Sequence, residues 1–273
     1  MAGIKGTNTR VLMGGYLLSS QTNSSEIAAT LERIETTPFE ATGKEYVTLP
    51  PSAQVNLGGY MTFDTANGST FENRLRLAID TADTVGIIHY VTAPAGSPGY
   101  VLPGASTSNM QIQSPVAGVM TLSGGFVSDT GLRRGICVYS GTVNATGGTA
   151  SIDIGAAGTT GGYAYLFVTT ETGAGTNATI DIESSATEGG TYVSEGTFTF
   201  SAIGVAAVTL SGTVNRWLRL NCTTLGGATS WYVTCIACVA GVKVLQDEFD
   251  VLVWRHFATS SGHGRSAVRS VTR

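Results

Sequence analysis

The stretch Ala178-Thr-Ile-Asp-Ile-Glu-Ser184 alternates apolar and polar residues without a break. Successive side chains of a strand point to opposite faces, so this pattern places Ile180 and Ile182 inside and Asp181 and Glu183 outside. Similar runs follow on either side, at residues 163–169, 196–200, 206–210, 217–221 and 231–239, separated by Gly-, Ser-, Asn- and Thr-rich clusters. Short strands at a spacing of about 8–12 residues are the pattern of a sandwich or barrel. This half shows no helical period of any length.

Toward the N-terminus the same reading continues, with strand-like runs at residues 9–13 (TRVLM, followed by Gly14-Gly15), 54–63, 85–92, 116–127 and 135–139. The Gly58-Gly59 pair inside the second of these suggests a bulge or sharp bend. Residues 24–32 (SSEIAATLE) carry mixed signals and fit a strand or a short helix. One helix is predicted over residues 70–80. Ser69-Thr-Phe-Glu72 has the capping-box form, with Ser69 as cap and Glu72 reaching back, and Phe71, Leu75 and Ala78 or Ile79 recur at helical spacing.

Residues 140–161 are dense in Gly, Ser, Thr and Ala and make a plausible boundary. The expectation is therefore an all-β chain: a first β domain over 1–139 carrying one helix, and a second β-sandwich over 140–245. A C-terminal extension follows over 246–273. Within it, residues 249–257 (FDVLVWRHF) have the apolar bulk to order, and the Ser, Gly, Arg and His mixture from 258 onward reads as disordered.

Apolar residues make up 42% of the 273, enough for a core, but charged residues only 12%, about half the usual share. With 36 glycines and abundant Ser and Thr, the surface is wetted by hydroxyls and backbone. That composition suits turn-rich β proteins and subunits covered by their neighbours. The net charge of −4 conceals an asymmetry: residues 1–250 carry all 19 acids against 11 Lys and Arg, whereas 251–273 carry four Arg and no acid. Such a body lacks the basic footprint of a sequence-reading nucleic-acid binder. Residues 1–10 lack an apolar signal core, and no run approaches the roughly 18 apolar residues of a membrane span, so synthesis in a cytoplasm is expected.

No catalytic constellation is apparent. His89 falls in an apolar strand-like run, and His256 and His263 fall in the extension. There is no nucleophile elbow, no phosphate loop and no dinucleotide fingerprint. Asp181 and Glu183 share a strand face but have no identifiable partner for paired-carboxylate chemistry. Cys235 and Cys238 have the spacing of half a metal site. On a strand, however, residues three apart point to opposite faces, so these cysteines and Cys137 and Cys222 read as buried thiols. No enzyme, cofactor or metal is predicted.

Several stretches in order along the chain resemble the major tail proteins (tail tube proteins) of long-tailed bacteriophages. They are TRVLMGGYLLS (9–19), IETTPFEATGKEYV (34–47), VNLGGY (55–60), QSPVAG (113–118), GLRRG (131–135), GTVNRWLR (212–219) and residues 229–239. The resemblance implies a virion protein assembled in the host cytoplasm into stacked rings. Those rings are hexamers, or trimers of two-domain chains with pseudo-sixfold symmetry, and they surround a tape-measure protein. The tube meets tail terminator and tip proteins, and DNA passes through it without sequence-specific binding. Each subunit adds strands to an inner barrel, which removes free sheet edges.

Residues 32–53, with Pro38, Gly43, Pro50 and Pro51, are the candidate for an arm reaching the next ring. Glu35, Glu40 and Glu45 are candidates for inter-ring or lumen positions. The second domain is either decoration outside the tube or a second tube-like domain. A capsid decoration or head-fibre protein, and a carbohydrate- or cell-surface-binding β-sandwich, are the rival readings.

Overall fold

The computed structural model describes residues 8–30, 33–35, 46–48, 52–61, 70–116, 118–158 and 160–240. In chain order the strands are β1 (Thr9–Met13), β2 (Tyr16–Leu17), β3 (Thr22–Thr30), β4 (Arg33–Glu35), β5 (Tyr46–Thr48) and β6 (Ser52–Tyr60). After helix α1 (Phe71–Asp80) come β7 (Asp83–His89), β8 (Pro98–Gln113), β9 (Thr121–Ser128) and β10 (Arg133–Val143). Then follow β11 (Gly147–Gly148), β12 (Ile152–Asp153), β13 (Gly162–Thr172), β14 (Ala178–Ser185), β15 (Val193–Phe200), β16 (Gly204–Leu210), β17 (Trp217–Thr224) and β18 (Ser230–Val239). The fold is all-β with one short helix.

One sheet runs β16-β13-β18-β10-β8-β7-β1-β2, with every pairing antiparallel. It crosses position 139/140 without interruption, because β10 straddles that point and pairs with both β8 and β18. Three cores line its faces. On one side of the first-half strands, Val11, Met13, Val85, Ile87 and Leu102 pack with Phe71, Leu75 and Phe126. On one side of the second-half strands, Ala164, Leu166, Val233 and Cys235 pack with Ile180, Ile182, Leu218 and Leu220 of a second sheet, β11-β17-β14-β15.

The remaining faces meet each other. Leu12, Ile88, Val101, Cys137, Phe167 and Ile236 form a third cluster between the two ends of the long sheet, which folds back on itself. Gly86 of β7 lies against Phe167 of β13, where a β-carbon would stand 2.6 Å from the ring. Gly15 (φ +84°) meets the Gly204 nitrogen at what would be 2.4 Å, a contact and a backbone angle that only glycine accommodates. Central strands covered on both faces carry continuous apolar runs rather than alternation, which is why Val-Gly-Ile-Ile in β7 and Tyr-Leu-Phe-Val in β13 read as they do. Trp231 is fully buried; its indole N–H donates to the Leu225 carbonyl at 3.0 Å and its ring meets Phe200 edge-on.

The helix forms where predicted, but its cap is Thr70, whose hydroxyl accepts from the Asn73 amide at 3.3 Å. Thr70 has the extended backbone that a cap needs, so the cap lies one residue later than Ser69. Residues 24–30 are strand. Val116 and residues 118–120 precede rather than belong to β9, which starts at Thr121. Within 32–53, Arg33–Glu35 and Tyr46–Thr48 pair as a two-stranded ladder. The extension 246–273 lies outside the described residues.

The longest strand, β8, has no counterpart in the sequence reading, because Pro98, Gly99, Pro103 and Gly104 imitate a loop. Its prolines sit where a strand tolerates them. Pro98 is the first residue, and Pro103-Gly104 form a bulge, since Val85 pairs with Leu102 and Asp83 with Ala105. Beyond the bulge β8 leaves the long sheet's neighbours and pairs with β9 instead.

Candidate functional site

The far half of β8 joins β9, β6 and β3 in a four-stranded antiparallel layer, in the order β3-β6-β9-β8. Helix α1 covers one face. Leu75 seats on Gly124, and the Thr107 hydroxyl donates to the Leu75 carbonyl at 2.8 Å. Ala53, Val55, Leu57, Leu122 and Phe126 point to that side and are buried. The other face is therefore presented outward by strand alternation: Gln54 and Asn56 from β6, Ser123 from β9, and Asn109, Gln111 and Gln113 from β8.

This face is almost free of charge. The segments 22–30, 52–60, 106–113 and 121–128 contain one charged residue, Glu26, and no Lys or Arg. A transverse row runs across all four strands at one register, Glu26 opposite Asn56, Asn56 opposite Gly125, and Gly125 opposite Asn109. Side chains link the row. Gln54 Nε2 donates to Asn56 Oδ1 at 2.8 Å, Asn56 Nδ2 donates to Glu26 Oε2 at 3.2 Å, and the Gly125 amide donates to Asn109 Oδ1 at 2.6 Å. The carboxylate only accepts, which fixes the orientation of the Asn56 amide. Gly125 is the one position of the row without a side chain, and both flanking amides and the Ser108 hydroxyl occupy the space above it.

The layer has two unfinished edges. Among the described residues β3 pairs only with β6, and the segment 106–113 of β8 pairs only with β9. Both edges are eight or nine residues long. Neither carries a Lys or Pro; each has one bulge, at Thr22/Ser24 in β3 and Thr107/Asn109 in β8, and β3 carries Glu26. Because β3, β6, β9 and β8 alternate in direction, the two edge strands run antiparallel to each other.

Polar clusters elsewhere hold the fold together. Arg10 of β1 donates to the Tyr232 hydroxyl at 2.7 Å and to Ser140. Arg133 lies 3.4 Å from the Tyr163 ring centroid and donates to the Tyr165 hydroxyl, whose proton is held up to about 12 mainly by burial. On the second sheet Glu183 is buried rather than solvent-facing, a correction to the alternation reading. It keeps the outer face that alternation gives it, opposite Arg219, but is covered there by Arg219 Nε (2.7 Å) and Asn221 Nδ2 (2.8 Å), and Arg219 stacks on Tyr192. Asp181, on the same face, takes a hydrogen bond from Thr197 at 2.7 Å.

His89 is half-buried at the end of β7, with Nδ1 3.0 Å from the Thr9 hydroxyl, and burial lowers its pKa. Cys235 and Cys238 lie in different cores, and all four thiols are buried and free. Burial pushes the Cys137 and Cys238 thiols up to about 12. Among the described residues no three His, Cys, Asp or Glu gather as metal ligands, and no helix is long and apolar enough to cross a membrane.

Of the three predicted inter-ring or lumen residues, Glu35 ends β4 opposite Tyr46, while Glu40 and Glu45 lie outside the described residues, as do His256 and His263. The row residues Asn56, Asn109 and Gly125 went unnoticed in the sequence. The available signal was the polar alternation of Gln54 and Asn56 in β6 and the uncharged STSNMQIQ of β8.

No protein-family model matches the chain, nor does any curated protein. Among solved structures it is similar to a chain in the virion of a native gene transfer agent particle, at 12% identity and a TM-score of 0.36, over 48% of this chain and 97% of the other. It is also similar to a chain of the PVC sheath-tube complex of an extracellular contractile injection system, at 13% identity and 0.37, over 49% and 92%. A third is the SPP1 Dit protein, described as a paradigm of the hub adsorption apparatus in phages infecting Gram-positive bacteria, at 12% and 0.33, over 83% and 98%.

Proposed function

We propose that this chain is a structural protein of a bacteriophage tail that assembles with copies of itself into rings, and that the rings stack into the tube through which DNA leaves the particle. The observation that carries this reading is the β3-β6-β9-β8 layer, with two edges unpaired among the described residues, of compatible direction, and an outward face free of Lys and Arg. An edge of that length exposes a row of unpaired N–H and C=O groups, which is tolerable in a subunit whose neighbours supply the missing strand. Pairing β8 of one copy with β3 of the next is a heterologous contact, and repetition of such a contact about an axis gives a closed ring.

In that ring the face with Asn56, Asn109 and Gln111 lines the channel. A wall that conducts DNA works best without cations, because each phosphate held by Lys or Arg would retard passage. The amides and hydroxyls hydrate the wall, and one carboxylate per copy keeps it weakly repulsive. The second sandwich, built on β13 to β18, then lies outside the channel as decoration. Glu35, Glu40 and Glu45 remain proposed inter-ring or lumen positions, and a tape-measure protein, terminator and tip proteins the proposed partners.

Negative-stain microscopy of the purified full chain at rising concentration tests this. Hollow rings or tubes are expected. A small closed oligomer with no channel would overturn it.

A further inference from the structure

The hairpin of β8 and β9 ends in a turn whose composition is not that of a solvated loop. Turns exposed to water are ordinarily built from Gly, Pro, Asn, Asp and Ser, but residues 114–120 read Ser-Pro-Val-Ala-Gly-Val-Met. The last rungs of the layer at this end set Thr121 opposite both Gln113 and Tyr60, and the Met61 amide donates to the Met120 carbonyl at 3.1 Å. The turn therefore lies past the end of the sheet. A β-carbon at Gly118 would stand 2.9 Å from Pro115 Cγ, so the turn is closed on itself and its valines are left outside. Val116 is fully exposed and Val119 is 64% exposed, with Ile112 and Tyr60 also exposed at the strand ends that carry the turn. No Asp, Glu, Lys or Arg occurs from residue 84 to residue 128. Single exposed apolar side chains are ordinary, but four of them on one uncharged projection mark a contact surface.

At the other end of the layer the chain leaves β3 at Thr30 and enters β6 at Ser52. Strands of a closed barrel tilt by about 35–45° from its axis, so at any register of the seam the two ends of this layer stand at opposite rims. Rings stacked in one direction bring the turn rim of each against the opposite rim of the next, a heterologous contact that repeats along the tube.

We infer that the turn 114–120, through Val116 and Val119, is the apolar contact that seats one ring on the opposite rim of the next. This rests on the proposed ring, and the occupant is a second copy. A lipid surface fits the turn less well, because it carries none of the Trp, Lys or Arg with which interfacial segments anchor. Covering the two valines removes apolar area from water without desolvating a charge, and the ring repeats the contact once per copy.

The test uses the full chain. Val116→Asp/Val119→Asp is expected to leave closed single rings in negative stain where the parent forms tubes, with stacking displaced to a concentration at least about tenfold higher. Circular dichroism and the rings themselves show that the variant is folded. Val116→Leu/Val119→Leu keeps the turn apolar and should stack at the parental concentration. Because the contact is heterologous, the Asp variant retains an intact opposite rim. Added to parental protein, it should cap growing tubes and shorten them as its fraction rises.

If the parent forms tubes and the Asp variant stacks at the parental concentration, the contact lies elsewhere and the tube reading stands. If that variant stacks normally but loses a parental ability to float with phosphatidylcholine vesicles, the turn serves a lipid surface and the inference is overturned. If the parent gives only channel-free oligomers, the ring and the contact both fall.

Discussion

Asn56 and Asn109 lean over Gly125 from the strands on either side, and a β-carbon at that position would stand 2.9 and 2.8 Å from their amide oxygens. With the Ser108 hydroxyl also 2.9 Å from that point, the glycine is a socket for three side chains rather than a flexible point. Gly125→Ala is expected to push one amide aside and destabilise the fold by about 1–3 kcal/mol, as overpacking does. Urea unfolding followed by circular dichroism measures it. An unchanged midpoint would mean that the row is not tightly held.

The uncharged wall makes a prediction about charge. Assembled parental tubes should not retain duplex DNA at physiological salt. Tubes of Gln111→Arg should bind it, with affinity falling steeply as salt rises. Filter binding across a salt series reads this directly, and parental tubes that bind DNA equally well would remove Gln111 from the channel.

Burial of the thiols predicts a response to alkaline pH. The Cys137 and Cys238 thiols titrate near 12 in the fold and near 9 when exposed, so the unfolded chain loses its protons first. Their contribution to stability is complete below pH 9 and declines as pH rises from 9 toward 12. Urea midpoints should fall over that range, and Cys137→Ser/Cys238→Ser should flatten the fall. Alkylation of the native protein at pH 8 should be slow at all four cysteines, and fast after unfolding.

Glu183 and Arg219 give a stability prediction. Removing the guanidinium leaves a carboxylate that is 8% exposed with only Asn221 to meet it. Arg219→Met is expected to cost about 1–3 kcal/mol, the penalty for a buried acceptor stripped of one partner. Glu183→Gln should cost less, because the amide oxygen still accepts. Thermal melts of the two variants separate these cases.

What was legible in the sequence follows from which signals are local. Alternation in β14 and the apolar runs of β7, β13 and β18 report burial of one or both faces, and that gave the fold class and the opposite facing of Cys235 and Cys238. The helix was legible from its period, though the capping-box spacing picked Ser69 where the adjacent hydroxyl residue Thr70 is the cap. β8 was not legible, because a strand that starts at Pro98 and bulges at Pro103-Gly104 carries the letters of a loop. The site was hidden for the same reason: half of it lies on that strand. The row from Glu26 to Asn109 exists only once strands 16 to 69 residues apart are in register, and nothing local announces that. Glu183 faces outward as its alternation says, but the covering side chains, Arg219 and Asn221, come from a strand 36 to 38 residues away, so its burial was not legible locally.

Helical reconstruction by cryo-electron microscopy of tubes grown from the full chain measures the central claim most directly, because it shows which face lines the channel. The account predicts a continuous antiparallel barrel in which β8 of one copy pairs with β3 of the next and Asn56, Asn109 and Gln111 face the lumen. A channel lined by the second sandwich, or tubes in which β3 and the far half of β8 remain unpaired, would contradict it.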